Sequence, residues 1–139
     1  MFITLENGST AHIRDEGNPD GETLVLMHGF GGSLHIWEKW VAILGDNYRL
    51  VSFDWPGQGL STPVTNDKYD FPALTNYLNY ILASLNIEKA VLVGHSIGGG
   101  VAMNFVVDNP DRVKALVLVG AVGLKIDRSD EASRVFKLT

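Results

Sequence analysis

The chain has 139 residues, no cysteine and a formal net charge of −5, with 45% hydrophobic and 19% charged residues. That length allows one domain with a real core, and the composition is that of a globular chain rather than a disordered one. An acidic balance with no Lys/Arg cluster argues against a nucleic-acid partner, and the missing cysteines exclude disulfides, thiolate metal sites and a cysteine nucleophile.

FITLENGSTAHIRDEG, residues 2–17, reads as a hairpin around Asn7-Gly8, a pair suited to the positive φ angles of a tight turn. GNPDG (17–21) is a second turn, and TLVLM (23–27) is a continuously apolar run of the kind a strand covered on both faces requires. HGFGGS follows as a glycine-rich loop. Ser33 is then placed to cap a helix over LHIWEKWVAIL, in which Trp37, Trp40, Val41 and Leu44 share one face.

YRLVSFD (48–54) is the next strand and WPGQGLSTP a loop. FPALTNYLNYILASLN (71–86) is a second amphipathic helix, with Leu74, Leu78, Ile81, Leu82 and Leu85 on one side as core. KAVLVG (89–94) is a strand, SIGGGVAMNFVVD a helix ended by Asn109-Pro110, and VKALVLVG (113–120) one more apolar strand. The remainder turns polar, with a short helix expected near Glu131 to Lys137.

A hairpin followed by strand–helix alternation implies an α/β fold, its sheet mostly parallel from residue 23 onward. Ligand sites in such sheets lie outside the carboxyl ends of the strands. HGFGGS, DWPGQGLS and GHSIGGG all fall at such ends, which places three glycine-rich loops on one rim.

Gly94-His95-Ser96-Ile97-Gly98 fits G-x-S-x-G, a strained strand-to-helix corner that holds a serine hydroxyl up to a substrate. Glycine is needed two residues either side, where a side chain would meet neighbouring backbone. The bland alternative is a glycine-rich turn with an idle serine, and the apolar strand before it and helix after it speak against that. GHSIGGG has neither the lysine of a Walker motif nor the G-x-G-x-x-G spacing of a dinucleotide loop. Acyl transfer also needs two N–H donors for the developing oxyanion. Ile97, directly after the serine, and Phe30, between the glycines of the neighbouring loop, are the candidates.

The three motifs, in this order and spacing, resemble the α/β-hydrolase superfamily, on its esterase, C–C bond hydrolase and proline-iminopeptidase side. The resemblance covers essentially the whole chain. It implies Ser96 as nucleophile, Phe30 and Ile97 as the oxyanion hole, and no cofactor or metal. Its substrate would be a small carboxylic ester, with an amide or activated C–C bond as variants. Serine at position 96 separates the chain from the dehalogenases and epoxide hydrolases of that superfamily, which carry aspartate there. Asp54 is expected to stabilise loops at the rim rather than to react.

A serine needs a base, and the chain has four histidines. His12 is expected far from the rim, His95 to point away from Ser96, His28 to support the oxyanion loop, and His35 to lack an orienting acid. The superfamily order is serine, then acid, then histidine, so base and acid are expected beyond Thr139. Asp127 matches a minority position for the acid.

The expected architecture is therefore the N-terminal part of the α/β-hydrolase fold, 1–139 as one incomplete domain, lacking the C-terminal strands and cap. Residues 121–139 are the expected start of a cap. The strand at 113–120 would present an open apolar edge, suited to self-association or to a complementing chain. The other reading is a catalytically inactive fragment serving as a binding or assembly module. The first ten residues lack the basic and apolar regions of a signal peptide, and the longest apolar run, Ala115 to Leu124, is too short for a bilayer. A cytoplasmic setting with no membrane partner is the expectation.

Overall fold

The computed structural model describes residues 1–6, 8–63 and 69–123. Asn7, Asp127, the helix expected near Glu131 to Lys137 and the 124–139 part of the expected cap segment lie outside the described residues.

Six strands form one sheet among the described residues, in the order β1-β2-β4-β3-β5-β6. They are β1 Phe2–Thr4, β2 Thr10–Gly17, β3 Glu22–Met27, β4 Tyr48–Phe53, β5 Ala90–His95 and β6 Val113–Val119. β1 and β2 make the expected hairpin, with Thr4 opposite Thr10. β2 then pairs antiparallel with β4, Ile13 facing Phe53, and β3 to β6 run parallel. Met27 lies beside both Phe53 and Gly94, so β3, β4 and β5 end together and their three loops share a rim as expected.

The period-two alternation of the strands divides the core into two layers. Val25, Met27, Val51, Phe53 and Leu92 point to one side, where α2 (Phe71–Ser84) and α3 (Ile97–Asp108) cover them with Leu74, Leu78, Ile81, Leu82, Val101 and Phe105. Leu24, Leu26, Leu50 and Val93 point to the other, under Trp37 and the half-buried Trp40, Val41 and Leu44. Each of these fully buried side chains contributes roughly 1.5–3 kcal/mol.

Two local expectations change. The helix over 34–44 is a 3-10 turn, Leu34–Trp37, followed by a short α1, Glu38–Leu44, and Ser33 makes no side-chain capping bond. Asp70, not singled out from the sequence, caps α2 by accepting from Ala73 N–H, with Pro72 just inside the helix where its missing N–H costs nothing. Helix α2 ends at Ser84, ahead of Asn86 at φ 52°.

β6 meets only β5 among the described residues, and Val117 and Val119 are 38% and 40% exposed. Among the described residues the edge expected from the sequence is open. No helix among the described residues is long and apolar enough to cross a membrane.

Candidate active site

The corner between β5 and α3 turns on Ser96, whose backbone sits at φ 53°, ψ −116°. This is a conformation that costs a non-glycine residue roughly 1–3 kcal/mol. It persists because the surroundings dictate it. Ser96 N–H donates to Val119 O at 3.0 Å, and Ser96 O accepts from Gly99, Gly100 and Val122 N–H at 3.1, 3.2 and 3.0 Å. A Cβ on Gly94 would run into the Gly98–Gly99 backbone, and one on Gly98 would come within 2.5 Å of Met27 O. Both flanking glycines are thus required by packing, as the motif predicts. The Ser96 side chain makes no helix-capping bond.

Ile97 opens α3, so its N–H is one of those a helix leaves without an internal acceptor, at the positive end of the dipole. The loop after β3 reaches the same place. A Cβ on Gly29 would stand 2.9 Å from Ser96 Cβ, so the Gly29 backbone packs directly on the serine. Phe30 follows with its side chain 84% exposed. Phe30 and Ile97 then line one cleft of ≈ 380 Å³ together with Pro56, Gly57, Gln58, Tyr69 and Leu74. That volume is within the range of small-molecule sites, and the lining is mainly apolar.

His28 is fully buried under this loop. Its Nδ1–H donates to Gly29 O at 2.7 Å, and its Nε2 accepts from Trp55 N–H at 3.2 Å. Burial outweighs the hydrogen bond to Gly29 and the nearby Asp54 charge, and holds the ring's pKa below its ordinary value. The ring is therefore neutral. Its Nε2 lies 3.8 Å from Asp54 Oδ1, but with the lone pair taken by Trp55 this is no ion pair. Because the Gly29–Phe30 peptide is planar and trans, fixing Gly29 O fixes the opposite direction of Phe30 N–H.

Asp54 directly follows β4 and is 1% exposed. Its Oδ1 accepts from Leu34 N–H at 2.7 Å, and its Oδ2 from Leu60 N–H at 3.0 Å and His12 Nδ1–H at 2.8 Å. Burial alone would push the carboxyl up, but the bonds from Leu60, His12 and Leu34 outweigh it and hold the pKa below the usual range. Tyr77, packed below, is pushed up to about 12 by burial, against the bond to Ser61 that lowers it.

His12 is at the rim, contrary to expectation. β2 runs antiparallel to β4, so its first residues lie beside the carboxyl end of β4. That pairing, not visible in a local pattern, is the signal that would have found the His12–Asp54 contact. His35 also departs from expectation. It has a carboxylate partner, Glu38, whose Oε1 lies 2.7 Å from Nδ1, with Arg14 donating to the same oxygen at 3.2 Å. These two bonds lower the Glu38 pKa, and the group lies on the surface. His95 is exposed, its ring beside Gly29.

Comparison with known proteins is consistent with this geometry. A family model described as the alpha/beta hydrolase fold matches residues 22–137. A 2-hydroxy-6-oxo-2,4-heptadienoate hydrolase of Pseudomonas putida is 29% identical over 96% of this chain and 49% of its own length. The dihydrolipoyllysine-residue acetyltransferase component of an acetoin cleaving system, from Cupriavidus necator, is 39% identical over 88% of this chain and 32% of its own. A meta-cleavage product hydrolase of Pseudomonas fluorescens superposes with a TM-score of 0.85 at 28% identity, over 100% of this chain and 51% of that one. The chain thus spans between about a third and a half of the length of these relatives.

Proposed function

The chain belongs to the alpha/beta hydrolase fold family, and from that premise we propose that it carries the nucleophile and oxyanion half of a serine hydrolase. The observation that carries the reading is the Ser96 corner: a non-glycine residue held at φ 53° with the Gly29 backbone packed on its Cβ.

In this reading Ser96 Oγ attacks an acyl carbonyl, and the developing oxyanion is met by Ile97 N–H and Phe30 N–H. The acyl-enzyme is then resolved by water. A small carboxylic ester is the proposed substrate class, with an amide or activated C–C bond as variants. The ≈ 380 Å³ apolar cleft beside both donors suits a small acyl group, and two of the relatives are themselves named hydrolases.

The base and acid are proposed to come from sequence beyond Thr139. The ring nitrogens of His28 are both engaged, His12 is committed to Asp54, and His35 faces Glu38 on the surface. The open edge of β6 is the proposed docking line for a further strand, which would bury Val117 and Val119. A non-catalytic binding or assembly module is the second reading, favoured by that open edge and by the engagement of His12, His28 and His35.

Hydrolysis of 4-nitrophenyl acetate by the full-length protein separates the two. Ser96→Ala is expected to lower kcat/KM by about 10³-fold or more. Equal turnover by wild type and Ser96→Ala would remove the serine-hydrolase reading.

A further inference from the structure

The tip of the loop after β3 is a turn closed by Gly32 N–H donating to Gly29 O at 3.1 Å, a bond that does not involve the central Phe30–Gly31 peptide. Phe30 is 84% exposed, so its side chain provides no packing to fix the backbone on either side. Two backbone planes meet at Phe30, and each is tied by one side chain. His28 ties the plane before it through Gly29 O at 2.7 Å. The plane after it carries Gly31 N–H, which donates to Gln58 Oε1 at 2.8 Å.

Gln58 comes from a different loop, the one after β4, and is itself set by its main chain. Gln58 N–H donates to Trp55 O at 3.0 Å, and Gln58 O accepts from Ser61 N–H at 3.1 Å. The same loop is fastened below by Leu60 N–H on Asp54 Oδ2, at 3.0 Å. Gln58 therefore carries the rigidity of the Asp54 hub across the rim to the free end of the neighbouring loop. Its side chain also lines the cleft between Phe30 and Ile97.

We propose that Gln58 is a positioning residue for acyl transfer, holding the Phe30–Gly31 peptide so that Phe30 N–H stays aimed at the oxyanion. This rests on the reading of Ser96 and Phe30 given above. A side chain that cannot accept a hydrogen bond leaves the Gly31 plane free to rotate. Phe30 then loses one of its two fixed neighbours. The loss falls on the transition state, where charge sits on the oxygen, more than on the bound ester.

The test uses the full-length protein with Gln58→Met, which keeps length and bulk but has no comparable acceptor, and Gln58→Glu, which keeps an acceptor oxygen. Three quantities are read: hydrolysis of 4-nitrophenyl acetate, inhibition by phenylboronic acid, which forms a tetrahedral adduct on serine, and hydrogen exchange at the Gly31 amide. Gln58→Met is expected to lower kcat by roughly tenfold with KM within about twofold, and to weaken the boronate by a similar factor. Gly31 exchange is expected to quicken in Gln58→Met and to stay slow in Gln58→Glu.

An unchanged kcat, or a rise in KM alone, would overturn the proposal, as would unaltered Gly31 exchange in Gln58→Met. If Gln58→Met does not fold, the Glu variant decides: slow Gly31 exchange supports the strap and fast exchange overturns it. Full turnover by Ser96→Ala would instead bring down the nucleophile assignment beneath it, while Gly31 exchange still reads the Gln58 bond on its own.

Discussion

Asp54 and Ser96 directly follow the carboxyl ends of β4 and β5, the strands on either side of β3, yet they are held in opposite ways. Asp54 is saturated: buried, ionised, and accepting from Leu34, Leu60 and His12 at 2.7–3.0 Å. Ser96 is strained: its backbone sits at φ 53°, and its side chain makes no capping bond. A buried carboxylate that accepts three hydrogen bonds stabilises the loops around it and presents no surface to a substrate. Ser96 has the reverse balance: its side chain makes no capping bond, and its strained backbone is held in place by the hydrogen bonds and packing around it. On the proposed reading the rim divides its labour, Asp54 fixing the loops and Ser96 presenting the nucleophile.

The largest effect that would break this comparison is at Asp54. Asp54→Ala leaves the buried N–H of Leu34, the N–H of Leu60 and the His12 ring without their acceptor. It is expected to lower the unfolding free energy in a urea titration by about 3 kcal/mol. Acid should act on the same group. The Asp54 pKa is lower folded than unfolded, so its contribution is complete above its ordinary value of 3.8 and is lost as pH falls through the folded value. His28, held below its ordinary 6.5, adds a loss that begins as pH drops below that value. Asp54→Ala should therefore flatten the lower limb of stability against pH, while the His28 limb persists and deepens because the charge that raises the His28 pKa is gone. A wild-type stability that does not fall between pH 4 and the folded value would contradict the saturated state of Asp54.

The smaller effect is at the corner. Ser96→Gly removes the unfavourable φ and sacrifices no capping bond. It is expected to stabilise the fold by about 1 kcal/mol while removing the hydroxyl. A destabilised glycine variant would mean that the corner is not strained.

Much of this was legible beforehand because it depends on local pattern. The apolar runs before residues 28, 54 and 96 are strands because they must be covered on both faces, and parallel ends bring their loops together. The need for glycine at 94 and 98 follows from the tightness of the turn alone. His12 was misplaced because its position depends on which strand β2 pairs with, a non-local choice. Glu38 is within reach of His35 on any helix, being three residues on, but spacing alone does not say that the two side chains turn to each other; Asp70 caps α2 from one residue ahead of its first apolar position. The Gln58–Gly31 bond joins residues 27 apart in the chain, and nothing in either loop alone announces it.

The central claim is that Ser96 is the nucleophile, and covalent capture tests it most directly. The full-length protein treated with a fluorophosphonate and digested should carry the adduct, located by mass spectrometry, on Ser96. Ser96→Ala should carry none. Label found on another residue with Ser96 unmodified, or undiminished label in Ser96→Ala, would contradict the account.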